Sequence, residues 1–231
     1  MGAPGTGSYE VDGSLASQVA AEERQRARLT PRSQRGLRTR NALVLAAREV
    51  FERDGYLDAR TADIAKAANV ATGSFYTYFN SKEEVFEALV AMVQDEMLQP
   101  RLRARTGITD ARRLIDAANR EYLQAYERNA RLMALFEQVA QINEKFRDLR
   151  IRRNEAFAHR NAKMIRALQE AGEADLTLDP LLTAYALGAM VSRLAYMHFV
   201  LGCGFPFEQL VQTLNKIWEN GLQLGPSTSA R

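Results

Sequence analysis

TADIAKAANVATGSFYTYFNSK, residues 61 to 82, is the stretch on which the fold turns. Ile64, Ala65, Ala68 and Val70 form an apolar stripe at helical spacing, and Asn69 interrupts it at a turn. A second short helix, TGSFYTYF, then presents Thr72, Gly73, Ser74, Tyr76 and Tyr78, while Phe75 and Phe79 fall on the opposite face and go to a core. Two short helices across a tight turn, the second bearing small polar and tyrosyl groups, suit a helix-turn-helix entering a DNA major groove.

Upstream, Leu43, Ala46, Ala47, Val50 and Phe51 recur at three and four residues, which predicts a helix from near Arg38 that Gly55 ends. Downstream, Ser81 and Glu84 read as a capping box: Ser81 accepts from the backbone three residues on and Glu84 reaches back. The helix it opens carries Val85, Phe86, Leu89, Val90, Val93 and Met97 up to Pro100. Further helices are predicted at roughly 109–128, 130–142, 144–172, 179–201 and 207–223, punctuated by Asn129, Gly172 and Asp179-Pro180. No run alternates as a strand does, so the fold class is all-α.

The order of residues from Thr39 to Phe86 resembles the DNA-binding domain of TetR-type transcriptional regulators. It reads Thr39-Arg40, Ala46-Ala47, Phe51, Gly55-Tyr56, Asp63-Ile64-Ala65, Gly73, Phe75-Tyr76, Phe79 and Lys82-Glu83. Asn69 stands where that family usually has Gly, and Asn is the next best residue in a left-handed turn. Ala71 replaces a common Ser, with Thr72 to take over capping. Arg60 replaces a common Ser or Thr, with Asp58 or Thr61 to cap instead.

The resemblance implies an N-terminal three-helix helix-turn-helix domain joined to a C-terminal helical ligand-binding and dimerisation bundle. Residues 1–31 are then a disordered basic arm, 32–82 the DNA-binding domain, 83–224 the bundle and 225–231 a disordered tail. It also implies that Thr72, Gly73, Ser74 and Tyr78 approach base edges, with Tyr76 and Lys82 on the backbone. Arg60 and Thr61 join them beside phosphates. The recognition helix holds no Arg, Asn or Gln, so readout leans on hydroxyls, methyl packing and DNA shape.

Net charge is only +3, yet seven arginines and no acid lie between Arg24 and Arg40. Such a run is a solvated tail or a nucleic-acid arm; placed ahead of a helix-turn-helix, its arginines, Arg38 and Arg40 among them, are candidates to neutralise phosphates or to reach into the neighbouring minor groove.

In proteins of this kind the bundle encloses an effector pocket. Tyr122, Tyr126, Met133 and Phe136 are its candidate lining, with Phe157, Met164, Met190 and Arg193. For any one of them, plain core packing is the more ordinary role. The expected effector is lipophilic: an acyl thioester, a sterol-like or an aromatic compound. Ala184, Gly188, Ser192 and Ala195 form a small-residue ridge, and Leu210, Leu214, Ile217 and Trp218 line one face of the last helix. Both are assigned to a four-helix homodimer interface. Arg150, Arg152 and Arg153 read as a solvated charge run.

A hydrophobic share of 46% rules out wholesale disorder. One cysteine allows no disulfide framework and fits a reducing cytoplasm. Leu181–Leu201 is long and apolar, but a central Arg193 argues against a membrane span. His159 and His198 are isolated, so no metal, cofactor or catalytic group is expected. The resemblance implies a ligand-responsive repressor that binds a palindromic operator as a dimer. The rival is an all-helical small-molecule carrier or interaction protein with a vestigial helix-turn-helix.

Overall fold

A computed structural model describes residues 33–98 and 110–225. The predicted arm, the end of the predicted tail and Pro100 lie outside the described residues. Among those described there are only helices: α1 Gln34–Asp58, α2 Thr61–Ala67, α3 Thr72–Phe75, α4 Lys82–Leu98, α5 Ala111–Arg128, α6 Ala130–Ile142, α7 Glu144–Glu170, α8 Pro180–Phe199 and α9 Phe207–Gly221. The chain divides into two compact units, the first holding residues to Val50 with Ala59–Phe86, the second Phe51–Asp58 with everything from Glu87 on.

In the first unit the predicted apolar stripes meet. Leu43, Ala47, Val50, Ile64, Ala65 and Phe75 have no exposed surface, and Phe79 has 2%. Burying each phenylalanine contributes about 1.5–3 kcal/mol, which fixes the short α3 far better than its own hydrogen bonds do. Asn69 takes the left-handed conformation (φ 55°) and ends α2. Its N–H reaches Lys66 O at 3.0 Å and the Val70 N–H reaches Ala65 O at 3.0 Å, a Schellman closure.

Capping differs from expectation. The N-caps of α2 and α3 are Arg60 and Ala71, and neither side chain makes a cap bond. Thr61 and Thr72 are the first helical residues, one place too late to cap. At α4, Ser81 Oγ does accept the Glu84 N–H at 3.3 Å. The Glu84 carboxylate, however, receives the N–H of Asn80 at 2.8 Å and its Nδ2 at 3.0 Å.

In the second unit Gly55 (φ 79°, ψ 169°) breaks the helical path of α1 before the chain reaches Asp58. A side chain there would be strained by the positive φ. Helix α8 packs along α7, α6 against α7, and α9 against α5. A polar chain ties α5 to α9. Asn119 donates to Asn215 at 2.8 Å, Asn215 to Asp116 at 2.6 Å, and Arg120 bridges Asp116 (2.9 Å) and Glu208 (2.6 and 2.7 Å). Asp179 caps α8 by accepting the Leu182 N–H at 2.7 Å. No helix among the described residues is long and apolar enough to cross a membrane.

Candidate functional site

Two features of the fold invite a partner: the exposed side of α2–α3 and a cavity in the second unit. On the first, Thr72, Gly73 and Tyr76 are exposed, with Ser74, Tyr78, Thr61 and Lys82 half-buried around them. A Cβ built on Gly73 meets nothing within 4 Å, so no intramolecular contact demands glycine there. Tyr76 keeps half its surface in solvent, packs edge-on against Phe75, and places its hydroxyl 3.1 Å from Thr61 Oγ1. With Thr61 as donor, the tyrosyl O–H is left to donate outward, as a phosphate oxygen requires. Arg40 lays its guanidinium 4.8 Å from the centre of the Phe79 ring, a cation–π contact that holds the side chain close to α3. Arg38 and Arg60 are exposed. All ten residues assigned to DNA lie in the first unit.

The cavity has a volume of about 560 Å³ and lies within the second unit, walled by α5, α6, α7, α8 and α9. Such a volume is ordinary for a small-molecule site, where about 300–1,000 Å³ is usual. Tyr122, Tyr126, Phe157, Met164 and Arg193, all proposed from sequence, line it. Tyr122 and Phe157 meet at right angles with centroids 5.7 Å apart. Burial pushes the Tyr126 phenol well above its ordinary value; the neighbouring Tyr122 adds to this and Arg153 opposes it. Tyr126 is therefore a protonated donor at any physiological pH.

Other assignments move. Met133 and Phe136 are buried, and Met190 half-buried, but none of the three lines the cavity. The small-residue ridge assigned to a subunit interface borders the cavity. Ala184, Gly188 and Ser192 line the cavity, and Ala195 has no exposed surface. Leu210, Leu214 and Trp218 are also buried within the chain, Trp218 against the cavity. The reason is steric: three small side chains on α8 leave the space the cavity occupies, and a Cβ on Gly188 would come only within 4.0 Å of Asn161 Nδ2. Ile217 stays exposed, and so do Leu182 and Tyr185.

The charge run also resolves differently. Arg152 is exposed, but Arg150 and Arg153 line the cavity, and Arg153 is only 6% exposed. Arg153 follows Phe146 by seven residues and precedes Phe157 by four, so its place on the inner stripe of α7 is present in the helical period. Asn119 carries the same kind of signal: it shares the buried stripe of Ile115 and Leu123 on α5, though its polarity alone suggests a surface. Among the described residues no cluster of three His, Cys, Asp or Glu suits a metal.

Comparison with known proteins bears on the first unit most directly. Residues 43–89 match the family described as bacterial regulatory proteins, tetR family. The uncharacterised HTH-type transcriptional regulator YdgC of Bacillus subtilis is 39% identical over 56 residues, 24% of this chain and 29% of the relative. The uncharacterised HTH-type transcriptional regulator TtgW of Pseudomonas putida is 43% identical over 56 residues, 24% of this chain and 42% of that protein. The chain thus aligns with under half the length of these curated relatives. The solved fatty acid degradation regulator FadR of Bacillus halodurans superposes with a TM-score of 0.68 at 21% identity, over 85% of this chain and 100% of the other. At that identity it shows the shared fold: an N-terminal helix-turn-helix and a C-terminal helical domain.

Proposed function

We propose, for a chain that belongs through residues 43–89 to the tetR family of bacterial regulatory proteins, that it is a dimeric repressor released from its operator by a small molecule. The observation that carries this is Gly73, exposed on α3 with empty space where a side chain would be. With Thr72 and Ser74 it lets the helix sit deep in the major groove, where hydroxyls read base edges and Tyr78 packs alongside. Tyr76, Lys82, Arg38, Arg40, Arg60 and Thr61 sit at phosphates and set the register.

One such unit reads few base pairs, and a two-fold dimer gains affinity by presenting two. The exposed apolar residues Leu182 of α8 and Ile217 of α9 belong to the surface we assign to self-association. The cavity is the effector site. A ligand that binds the DNA-incompetent state more tightly lowers operator affinity by the ratio of its two affinities.

Selection of bound duplexes from a randomised library tests the DNA reading. Enrichment of a partly palindromic site, with affinity falling steeply as salt rises, is expected. A folded protein that enriches nothing at low salt overturns it in favour of a small-molecule carrier.

A further inference from the structure

The charges around the cavity are one-sided. Four arginines line it, Arg150, Arg153, Arg160 and Arg193, against a single acid, Glu137. Glu137 is already engaged by Arg150, Nη1 to Oε2 at 2.9 Å. Arg153 is the deepest of the four. Its Nη2 reaches only the Met97 sulfur at 3.6 Å, its guanidinium lies 5.7 Å from the Phe157 ring centre, and its buried Nε has no partner. Among the described residues no carboxylate lies within ion-pair distance of it. A thioether is a weak acceptor, and a guanidinium cannot shed its proton to escape burial. The charge is held ready at a cost that the protein alone does not offset. A second cavity-lining residue has the same need: Trp218 Nε1, a donor only, is buried and unpartnered.

We infer that the cavity binds an anionic amphiphile, its carboxylate, sulfonate or phosphate against the Arg153 guanidinium and its apolar body along Tyr122, Phe157 and Met164. The inference rests on the cavity being the effector site. Protonated Tyr126 supplies a further donor to the same anion, and Arg193, at the cavity wall, adds to the positive field that draws it in. A neutral lipophile would leave Arg153 uncompensated, and a cationic one would be repelled.

Two naphthalene dyes that differ essentially in charge test this: 1-anilinonaphthalene-8-sulfonate and the neutral N-phenyl-1-naphthylamine. Trp218 is the only tryptophan and lines the cavity, so energy transfer from it counts dye bound there. The sulfonate is expected to bind the full chain about tenfold or more tightly than the neutral dye. Arg153→Met should remove that preference by weakening the sulfonate about tenfold while leaving the neutral dye within about twofold, which also reports an intact cavity. Equal affinities in the wild type, or an unchanged sulfonate affinity in the variant, overturn the anionic assignment and leave the effector site standing. Failure of both dyes to draw energy from Trp218 overturns the effector site with it. Should Arg153→Met not fold, the wild-type ratio alone decides.

Discussion

Gly73 and Gly188 both sit in helices, and neither is required by the chain around it, yet the spaces they leave differ in kind. Beside Gly73 the space is outside, on an exposed surface. Beside Gly188 it is inside, facing a cavity of about 560 Å³. Glycine destabilises a helix interior by about 0.5–1 kcal/mol relative to alanine, a cost that applies in full to Gly188 in the middle of α8 and less to Gly73 in the first turn of α3. Two helices that accept this cost with no neighbouring backbone to accommodate are shaped for something that arrives later. The first unit leaves room for a macromolecule to lie against it; the second leaves room for a molecule to be enclosed. Their polar groups differ accordingly. Thr61 and Tyr76 satisfy one another at the surface, where water is also a partner, whereas Arg153 stays buried without an acid.

The largest expected effect separates the two spaces. Gly73→Leu should leave thermal melting essentially unchanged and cost about 100-fold or more in operator affinity, measured by fluorescence anisotropy, because a bulky group at the groove displaces several contacts of about 1–3 kcal/mol each. A variant that bound normally would mean that DNA does not approach at this point.

Next comes Gly188→Phe, which fills the cavity from α8. Dye binding beside Trp218 should disappear, and DNA affinity should stay within about threefold, a free-energy change well under about 1.4 kcal/mol. Loss of operator binding with the fold intact would mean that a filled cavity by itself favours the DNA-incompetent state, as an effector does.

Asn215→Ala sharpens the comparison from the side of stability. It strips Asn119, 5% exposed, of its acceptor and should lower unfolding free energy by about 1–3 kcal/mol in urea titrations. An unchanged midpoint would mean that water replaces the lost amide.

Tyr76→Phe is the smallest effect. Removing the hydroxyl breaks an exposed bond to Thr61, so stability should hold, while operator affinity falls about three- to tenfold through a lost phosphate contact of about 1 kcal/mol. Equal loss in Thr61→Val would show that the pair acts together.

Much of the fold is legible in the residues. The stripes of Leu43, Ala47, Val50, Ile64 and Ala65, the left-handed Asn69, and the inward Phe75 and Phe79 follow from period and turn chemistry, which act within a few residues. The ends of α5 to α9 fall within a few residues of their predicted places because Asn129, Gly172 and Asp179-Pro180 punctuate locally. Capping at α2 and α3 does not follow in the same way: a hydroxyl shifted by one residue serves a different partner, and which partner depends on what packs opposite.

The sequence by itself determined that the chain is helical, that it opens with a helix-turn-helix, and which faces of its helices are apolar, since each rests on short-range periodicity and backbone preference. Only the tertiary structure decided what those faces meet. It placed Ala184, Gly188 and Ser192 on the wall of a cavity, and brought Arg153 out of an apparent surface run to stand beside Phe157 and Tyr126. The physical reason is that a helix specifies its own stripe by a repeat of about 3.6 residues, but the space in front of that stripe is set by side chains far along the chain.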